Sequence, residues 1–353
     1  MTITPKRAAL ESEALAQSDP SGQITDVLGL PDHLRDAVWK AESADVASWD
    51  SPGGLIVAGM GGSAIGGRIA RAILGDQASR PITAVREYGL PSWTTQDATV
   101  LCLSYSGETE ETLACFEAAG VLGARRIVAT TGGRLALAAR AEGVPVLPMA
   151  GGLQPRHAVA YSTVAALHAA ALCGCGPGLT TEIDVAAEHL EQLAADWGPG
   201  APEDSDAKAL AAALHGTVPV IAGAGLTAAL AYRWKSQINE NAKQPAFASE
   251  LPELNHNEIV GWSSAARFAP FSAVFLDDSD DTPRIEQRIA VTREIIGENA
   301  AGTHVVATRG QTAVERAFSL VLLGDLVSLY LAALNGEDPK PIEPIEELKR
   351  RLS

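Results

Sequence analysis

The chain has only four cysteines in 353 residues: Cys102, Cys115, Cys173 and Cys175. So sparse a set excludes a disulfide-stapled scaffold, and reduced, buried thiols are the economical reading. Cys173-Gly174-Cys175 with His168 upstream fits no common zinc spacing, and no acidic residue joins it, so no metal is expected. Positive charge is also scarce, with 27 Lys and Arg against 43 Asp and Glu, a formal net charge of -16. That balance argues against nucleic-acid or anionic-membrane partners, both of which need basic surface. Lys6 and Arg7, followed by Glu11 and Glu13, lead into no apolar signal core. The stretch His157–Cys173, read as the most apolar, still carries two histidines, a serine and a threonine. It is expected to be a buried helix rather than a membrane span, and the protein to be cytoplasmic.

What remains is the composition of a globular protein, 46% hydrophobic and 20% charged, long enough for two domains. Short apolar runs at Leu55–Met60, Ile82–Glu87, Ala98–Leu103, Arg126–Thr131 and Val144–Met149 read as strands. Helical patterns follow most of them, at Ile65–Leu74, Glu110–Leu122 and Arg134–Glu142. This alternation predicts an α/β fold with a parallel sheet covered on both faces. Asp196–Asp204 is rich in Gly and Pro, and after it the pattern restarts with a strand at Val218–Ala222 and a helix at Leu226–Lys243. Further strands are expected at Phe271–Leu276 and His304–Thr308, with helices at Pro283–Ile296, Thr312–Leu334 and Ile342–Leu352. The expected organisation is a polar lead-in over 1–25, a first domain over 26–195, a linker at 196–206 and a second domain over 207–353. Gly59-Met60-Gly61 and Gly223-Ala224-Gly225 close similar strands, which suggests two copies of one fold.

Ser104-Tyr105-Ser106-Gly107-Glu108-Thr109-Glu110-Glu111-Thr112 sits where the strand over Ala98–Leu103 turns into a helix. Backbone N–H groups there lack intrahelical partners and the helix dipole favours an anion. Ser104, Ser106, Thr109 and Thr112 can each donate a hydrogen bond, and no lysine is near, so the pattern is not a nucleotide P-loop. It suits a small phosphate monoester; the plainer reading is ordinary helix capping by Ser and Thr. Gly59-Met60-Gly61-Gly62-Ser63 admits two readings as well. With Glu87 ending the next strand it approximates a dinucleotide fingerprint. Paired with the serine loop, Gly62 and Ser63 would instead close over the same phosphate as Ser104, Ser106 and Thr109, which is the preferred reading.

In the second half, Glu240 ends an amphipathic helix, and His256 lies in a turn crowded with Asn and Glu. Taken singly, Glu240 reads as a solvated carboxylate beside Lys243, and His256 as a turn histidine. Together, and beside a phosphate cradle, they are what aldose–ketose interconversion needs: a base to move a proton between adjacent carbons and an acid to open the ring. Arg156 starts a long apolar helix, as a surface residue or as a stabiliser of developing charge. Lys349 is at least a lysine favoured by the dipole of a C-terminal helix.

Gly61-Gly62-Ser63, the serine loop, Pro155-Arg156, Asn239-Glu240-Asn241, Pro252-Glu253-Leu254-Asn255-His256-Asn257-Glu258 and Leu348-Lys349 resemble the bifunctional phosphoglucose/phosphomannose isomerases, a branch with two sugar-isomerase (SIS) domains. The resemblance runs from about residue 25 to the C-terminus and is most specific in the second half. It implies two doubly wound, flavodoxin-like three-layer domains and a cofactor-free, metal-free isomerase of hexose 6-phosphates. It implies a homodimer with a shared active site, in which His256 is given by the partner chain. On this resemblance Gly62, Ser63, Ser104, Ser106 and Thr109 hold the phosphate. Glu240 is the base that works through a cis-enediol, Arg156 steadies that intermediate, and His256 with Lys349 opens the ring.

This sequence departs from the family pattern twice. Glu108 adds a negative charge to the serine loop; pointing outward it costs little, and pointing inward it weakens phosphate binding. Members that also accept mannose 6-phosphate place a threonine shortly before the terminal lysine, whereas Asn335–Lys349 contains no Ser or Thr and Ile342 stands near that position. Glucose/fructose 6-phosphate isomerisation is therefore the firmer expectation. The rivals are a non-catalytic phosphosugar-binding regulatory protein and a nicotinamide oxidoreductase.

Overall fold

The structure, a computed structural model, describes residues 9–352; residues 1–8, which include Lys6 and Arg7, and residue 353 lie outside the described residues. The chain divides into two compact units, one holding Gly29–His189 with Gly310–Ala317 and the other the rest of the described chain.

In the first unit, strands β1 (Leu55–Ala58), β2 (Ile82–Val85), β3 (Thr99–Leu103), β4 (Arg125–Thr130) and β5 (Val146–Pro148) form one parallel sheet in the order β2-β1-β3-β4-β5. Every residue of β1 and β3 is buried, which is why these strands read as unbroken apolar runs rather than alternating ones. Ile56, Val100, Cys102, Phe116 and Leu135 pack one face of the sheet. Each such side chain, fully withdrawn from water, contributes about 1.5–3 kcal/mol, far more than local propensity. The thiol of Cys115 belongs to this layer and is pushed up to about 11 by burial and by the charges of Glu111 and Glu87. Helices Gly61–Leu74 and Val159–Leu172 meet closely at Gly66, where a Cβ would stand 2.4 Å from the Ser162 hydroxyl.

In the second unit, strands β6 (Val218–Gly223), β7 (Phe247–Glu250), β8 (Phe271–Asp277) and β9 (Gly302–Ala307) form a parallel sheet in the order β7-β6-β8-β9. The order of its four strands matches the first four of the other sheet, so the two glycine turns do open two copies of one doubly wound fold. Leu251, Leu254, Phe275, Ile289 and Ile296 form part of its core. The helix Ala313–Asn335 is longer than Val159–Leu172 and, unlike it, long and apolar enough to cross a membrane by length and composition. Its mean hydropathy reaches 2.0, and 89% of that window is buried, as in the core helix of a globular fold.

The stretch expected as a polar lead-in carries helices Ser12–Ser18 and Gln23–Leu28, with Leu10, Leu15 and Ile24 buried. The Asp19 carboxylate accepts from the backbone N–H groups of Gln23 (2.9 Å) and Ile24 (2.7 Å), a helix cap too short-range to stand out among polar residues. In the Gly- and Pro-rich stretch after Trp197, Lys208 reaches back to the carbonyls of Pro199 and Ala201, each at 2.8 Å.

Candidate active site

The order β2-β1-β3 reverses direction between β1 and β3, and turns beyond the carboxyl ends of such strands form a crevice. The two motifs singled out in the sequence occupy those turns. Gly61-Gly62-Ser63 opens the helix after β1, and Ser104–Thr109 leads from β3 into the helix Glu110–Leu122. A hydrogen bond from the Tyr105 N–H to the Ser63 hydroxyl, 3.2 Å, joins them.

Capping does not explain these hydroxyls. Thr109 stands at the N-cap position, yet its side chain caps nothing and instead meets Ser104 Oγ at 2.8 Å. Ser104 Oγ also accepts from the Gly107 N–H at 3.1 Å, and Ser106 Oγ accepts from the Glu108 N–H at 3.2 Å. Ser63 and Ser106 are thus held as acceptors, each keeping its own proton to give, and the Ser104–Thr109 pair spends one proton internally and keeps another. With the N-terminal N–H groups of two helices, this is a neutral cradle of donors suited to an anion despite the acidity of the chain. Thr112 does not share in it: the residue is 1% exposed, inside the fold rather than on the turn.

Glu108 does not bring an uncompensated charge. Its carboxylate accepts from the backbone N–H of Arg134 at 2.8 Å and pairs with the Arg134 guanidinium at 2.8 Å, and these bonds hold its carboxyl below the usual carboxylate range. The side chain caps the helix Gly133–Ala141 and is neutralised there.

Arg156 is 4% exposed and belongs to the same unit. Its place depends on Gly62, where a Cβ would lie 2.5 Å from the Pro155 carbonyl oxygen and 3.3 Å from the Arg156 Cα. The structure thus gives Gly62 a packing duty, the close approach of the arginine segment to the cradle. Tyr105 adds a second tie that the sequence reading did not single out, its phenol oxygen accepting from the Leu153 N–H at 3.0 Å. A tyrosine between two loop serines was the available signal.

The remaining candidates lie in the other unit, on three separate elements. Glu240 is the penultimate residue of the helix Gly225–Asn241. Lys243 donates to the backbone carbonyl of Glu240 at 2.8 Å, capping the helix end, and Asn239 accepts from the Ala246 N–H at 2.8 Å. His256 closes the single turn Glu253–His256 and is exposed. Its neighbour Asn255 is anchored to Thr292 (2.8 Å) and Arg288 (3.2 Å). Lys349 is exposed in the last turn of Glu343–Leu352. The counterpart glycine turn of this unit is no second cradle: the Thr227 hydroxyl is 0% exposed and spent on the carbonyls of Ala224 and Leu276.

Comparison with known proteins bears on the family of the chain. Residues 203–352 match the bacterial phospho-glucose isomerase C-terminal SIS domain. The chain is 37% identical over 332 residues to a bifunctional phosphoglucose/phosphomannose isomerase of Caldicellulosiruptor bescii, covering 93% of this chain and 98% of the relative. It is 34% identical to one of Aquifex aeolicus, covering 85% of this chain and 90% of the relative. Among solved structures, the C-terminal domain of glucosamine-fructose-6-phosphate aminotransferase from Francisella tularensis superposes with a TM-score of 0.66 at 13% identity, covering 90% of this chain and 97% of that one. That last likeness concerns the fold alone, which does not fix the chemistry. The sequence likeness goes further, and on it the chain belongs to the bifunctional phosphoglucose/phosphomannose isomerase family.

Proposed function

We propose that this protein interconverts glucose 6-phosphate and fructose 6-phosphate. The observation that carries the reading is the hydroxyl cradle at the switch point, with Arg156 packed against its Gly62. Ser63, Ser104, Ser106 and Thr109 bind the phosphate, which does not react; its binding energy holds the sugar in place for the chemistry. His256, supplied by the partner chain of a homodimer, and Lys349 open the ring by moving a proton between the ring oxygen and the C1 hydroxyl. Glu240 then removes the C2 proton of the open-chain aldose. The C2 hydroxyl proton passes to O1, and Glu240 returns its proton to C1, so the cis-enediol collapses to the ketose with no net change in atoms. Arg156 faces the negative charge that develops on the enediolate oxygens, where a fixed positive group can be worth about 3–4 kcal/mol. The absence of a hydroxyl between Asn335 and Lys349 favours glucose over mannose 6-phosphate as the aldose, and a cytoplasmic location is part of this reading.

The test is incubation with fructose 6-phosphate in D₂O. Glucose 6-phosphate carrying deuterium at C2 is the expected product, with little mannose 6-phosphate. Saturable binding without any exchange into solvent would favour a non-catalytic phosphosugar-binding protein instead.

The same reading fixes what Gly62 contributes. A Cβ at that residue meets backbone, which cannot swing aside as a side chain can. Gly62→Ala is therefore expected to lower kcat/KM for fructose 6-phosphate by about tenfold or more, through displacement of Arg156 as well as of the cradle. An unchanged kcat/KM would mean that the approach of Pro155 to Gly62 is not needed.

A further inference from the structure

The helix Gly225–Asn241 carries a polar stripe where an apolar one would serve. Arg233, Gln237 and Asn241, spaced four residues apart, are 2%, 1% and 0% exposed. Such residues lie one above another on a single helix face. All three meet the helix Ala313–Asn335. The Arg233 guanidinium donates to Asp325 Oδ2 at 2.5 Å, and Gln237 donates to Asp325 Oδ1 at 2.9 Å. Asn241 donates to the Ser328 hydroxyl at 2.9 Å, and that hydroxyl in turn donates to the Asp325 backbone carbonyl at 2.7 Å. Asp325 is 3% exposed and Ser328 is 0% exposed.

Stability alone does not call for this arrangement, because a buried ion pair is often no more stable than apolar residues of equal volume. What directional bonds add is register. Leucines packed between two helices tolerate a slide or a small rotation, whereas a carboxylate shared by two donors and a hydroxyl holding an amide do not. The ladder ends at Asn241, the residue next to Glu240. Beyond it, Asn335 of the same long helix donates to the Ala242 carbonyl at 2.9 Å, so the two residues that follow Glu240 are both tied to that helix.

We propose that the Asp325–Ser328 ladder is a positioning device for Glu240, fixing the rotation of the helix end and hence the direction in which the carboxylate points. Ser328 is its most informative member, since its hydroxyl joins Asn241 to the Asp325 backbone. This rests on the reading of Glu240 as base, and the experiment separates the two. Ser328→Ala, Ser328→Thr, Glu240→Gln and the double variant Glu240→Gln/Ser328→Ala are compared for kcat, KM, Tm and the pH dependence of kcat. The expectation is a fall in kcat of about tenfold for Ser328→Ala, with KM within about twofold and Tm lowered by only a few degrees. Ser328→Thr, which keeps the hydroxyl, should restore most of kcat. In the Glu240→Gln background Ser328→Ala should then have no further effect on the residual rate. The proposal is overturned if Ser328→Ala leaves kcat and its pH profile unchanged while Tm falls, or if its effect persists undiminished in the Glu240→Gln background. Full turnover in Glu240→Gln alone would instead remove the base assignment, and the ladder's role with it.

Discussion

Glu240→Gln should lower kcat for fructose 6-phosphate by at least about 100-fold while the binding of a non-reacting phosphate ligand stays within about twofold. The reason lies in what the substitution changes and what it leaves alone. Gln has the shape of Glu but cannot take a proton from carbon, so only the transfer step is lost. The backbone at this point is held by contacts that the side chain does not make: Lys243 donates to the Glu240 carbonyl, and Asn241 is tied to Ser328. The hydroxyls proposed to grip the phosphate belong to the other unit, on the turns after β1 and β3. Single-turnover measurement in D₂O, with binding followed separately by calorimetry, checks both halves of the expectation. Turnover at the wild-type rate would dispose of Glu240 as base; loss of ligand binding together with turnover would mean that the residue supports the cradle instead.

Local chemistry was legible in the sequence wherever residue type and secondary structure determine each other. The helix Glu110–Leu122 is found where expected because Thr109 and two acidic residues mark its start and Gly123 its end. Pro283–Ile296 is likewise marked by a proline in its first turn. Strands β1, β3 and β6 were visible as apolar runs because both faces of a parallel sheet are covered. The edge strand β7 was not, since Phe247 and Glu250 at its ends are exposed and its four residues carry no run to find. Nor does the chain say where its segments return. Residues 9–28 group with the second half, and Gly310–Ala317 group with the first, because the contacts that decide this join residues far apart. The site divides the same way. Four hydroxyls on a turn announce an anion, but that Ser104 pairs with Thr109, or that Glu108 is neutralised by Arg134 26 residues later, depends on how neighbouring turns converge. The buried stripe Arg233–Gln237–Asn241 was hidden for another reason. Polar residues at helical spacing read as a solvated face, and only the long apolar helix opposite, with its buried Asp325, turns that face inward.

Gly107→Ala should be the most damaging single change in the cradle, lowering kcat/KM by about 100-fold or more. Two penalties combine. The residue has φ +70°, a left-handed conformation that costs a side chain roughly 1–2 kcal/mol. A Cβ there would also lie 1.9 Å from the Gly132 carbonyl oxygen, a backbone atom that cannot give way without moving the turn after β4. That turn is interlocked with the serine loop, for Gly107 accepts from the Leu135 N–H at 3.0 Å and donates to Ser104 Oγ. Pushing Gly107 away therefore withdraws the N–H that orients Ser104 and disturbs the Ser104–Thr109 pair. Gly123→Ala isolates the first penalty. Gly123 has φ +76°, but nothing lies within 4 Å of its Cβ position, and it ends the helix Glu110–Leu122 at the far side from the serine loop. The expected contrast is a modest loss of Tm in Gly123→Ala with unchanged KM, against a large rise in KM in Gly107→Ala beyond any loss of Tm. Thermal unfolding with and without fructose 6-phosphate measures it directly, since ligand that binds the native state raises Tm only where the cradle survives. If Gly107→Ala kept the full ligand-induced shift, the interlocked turns would not be what holds the phosphate.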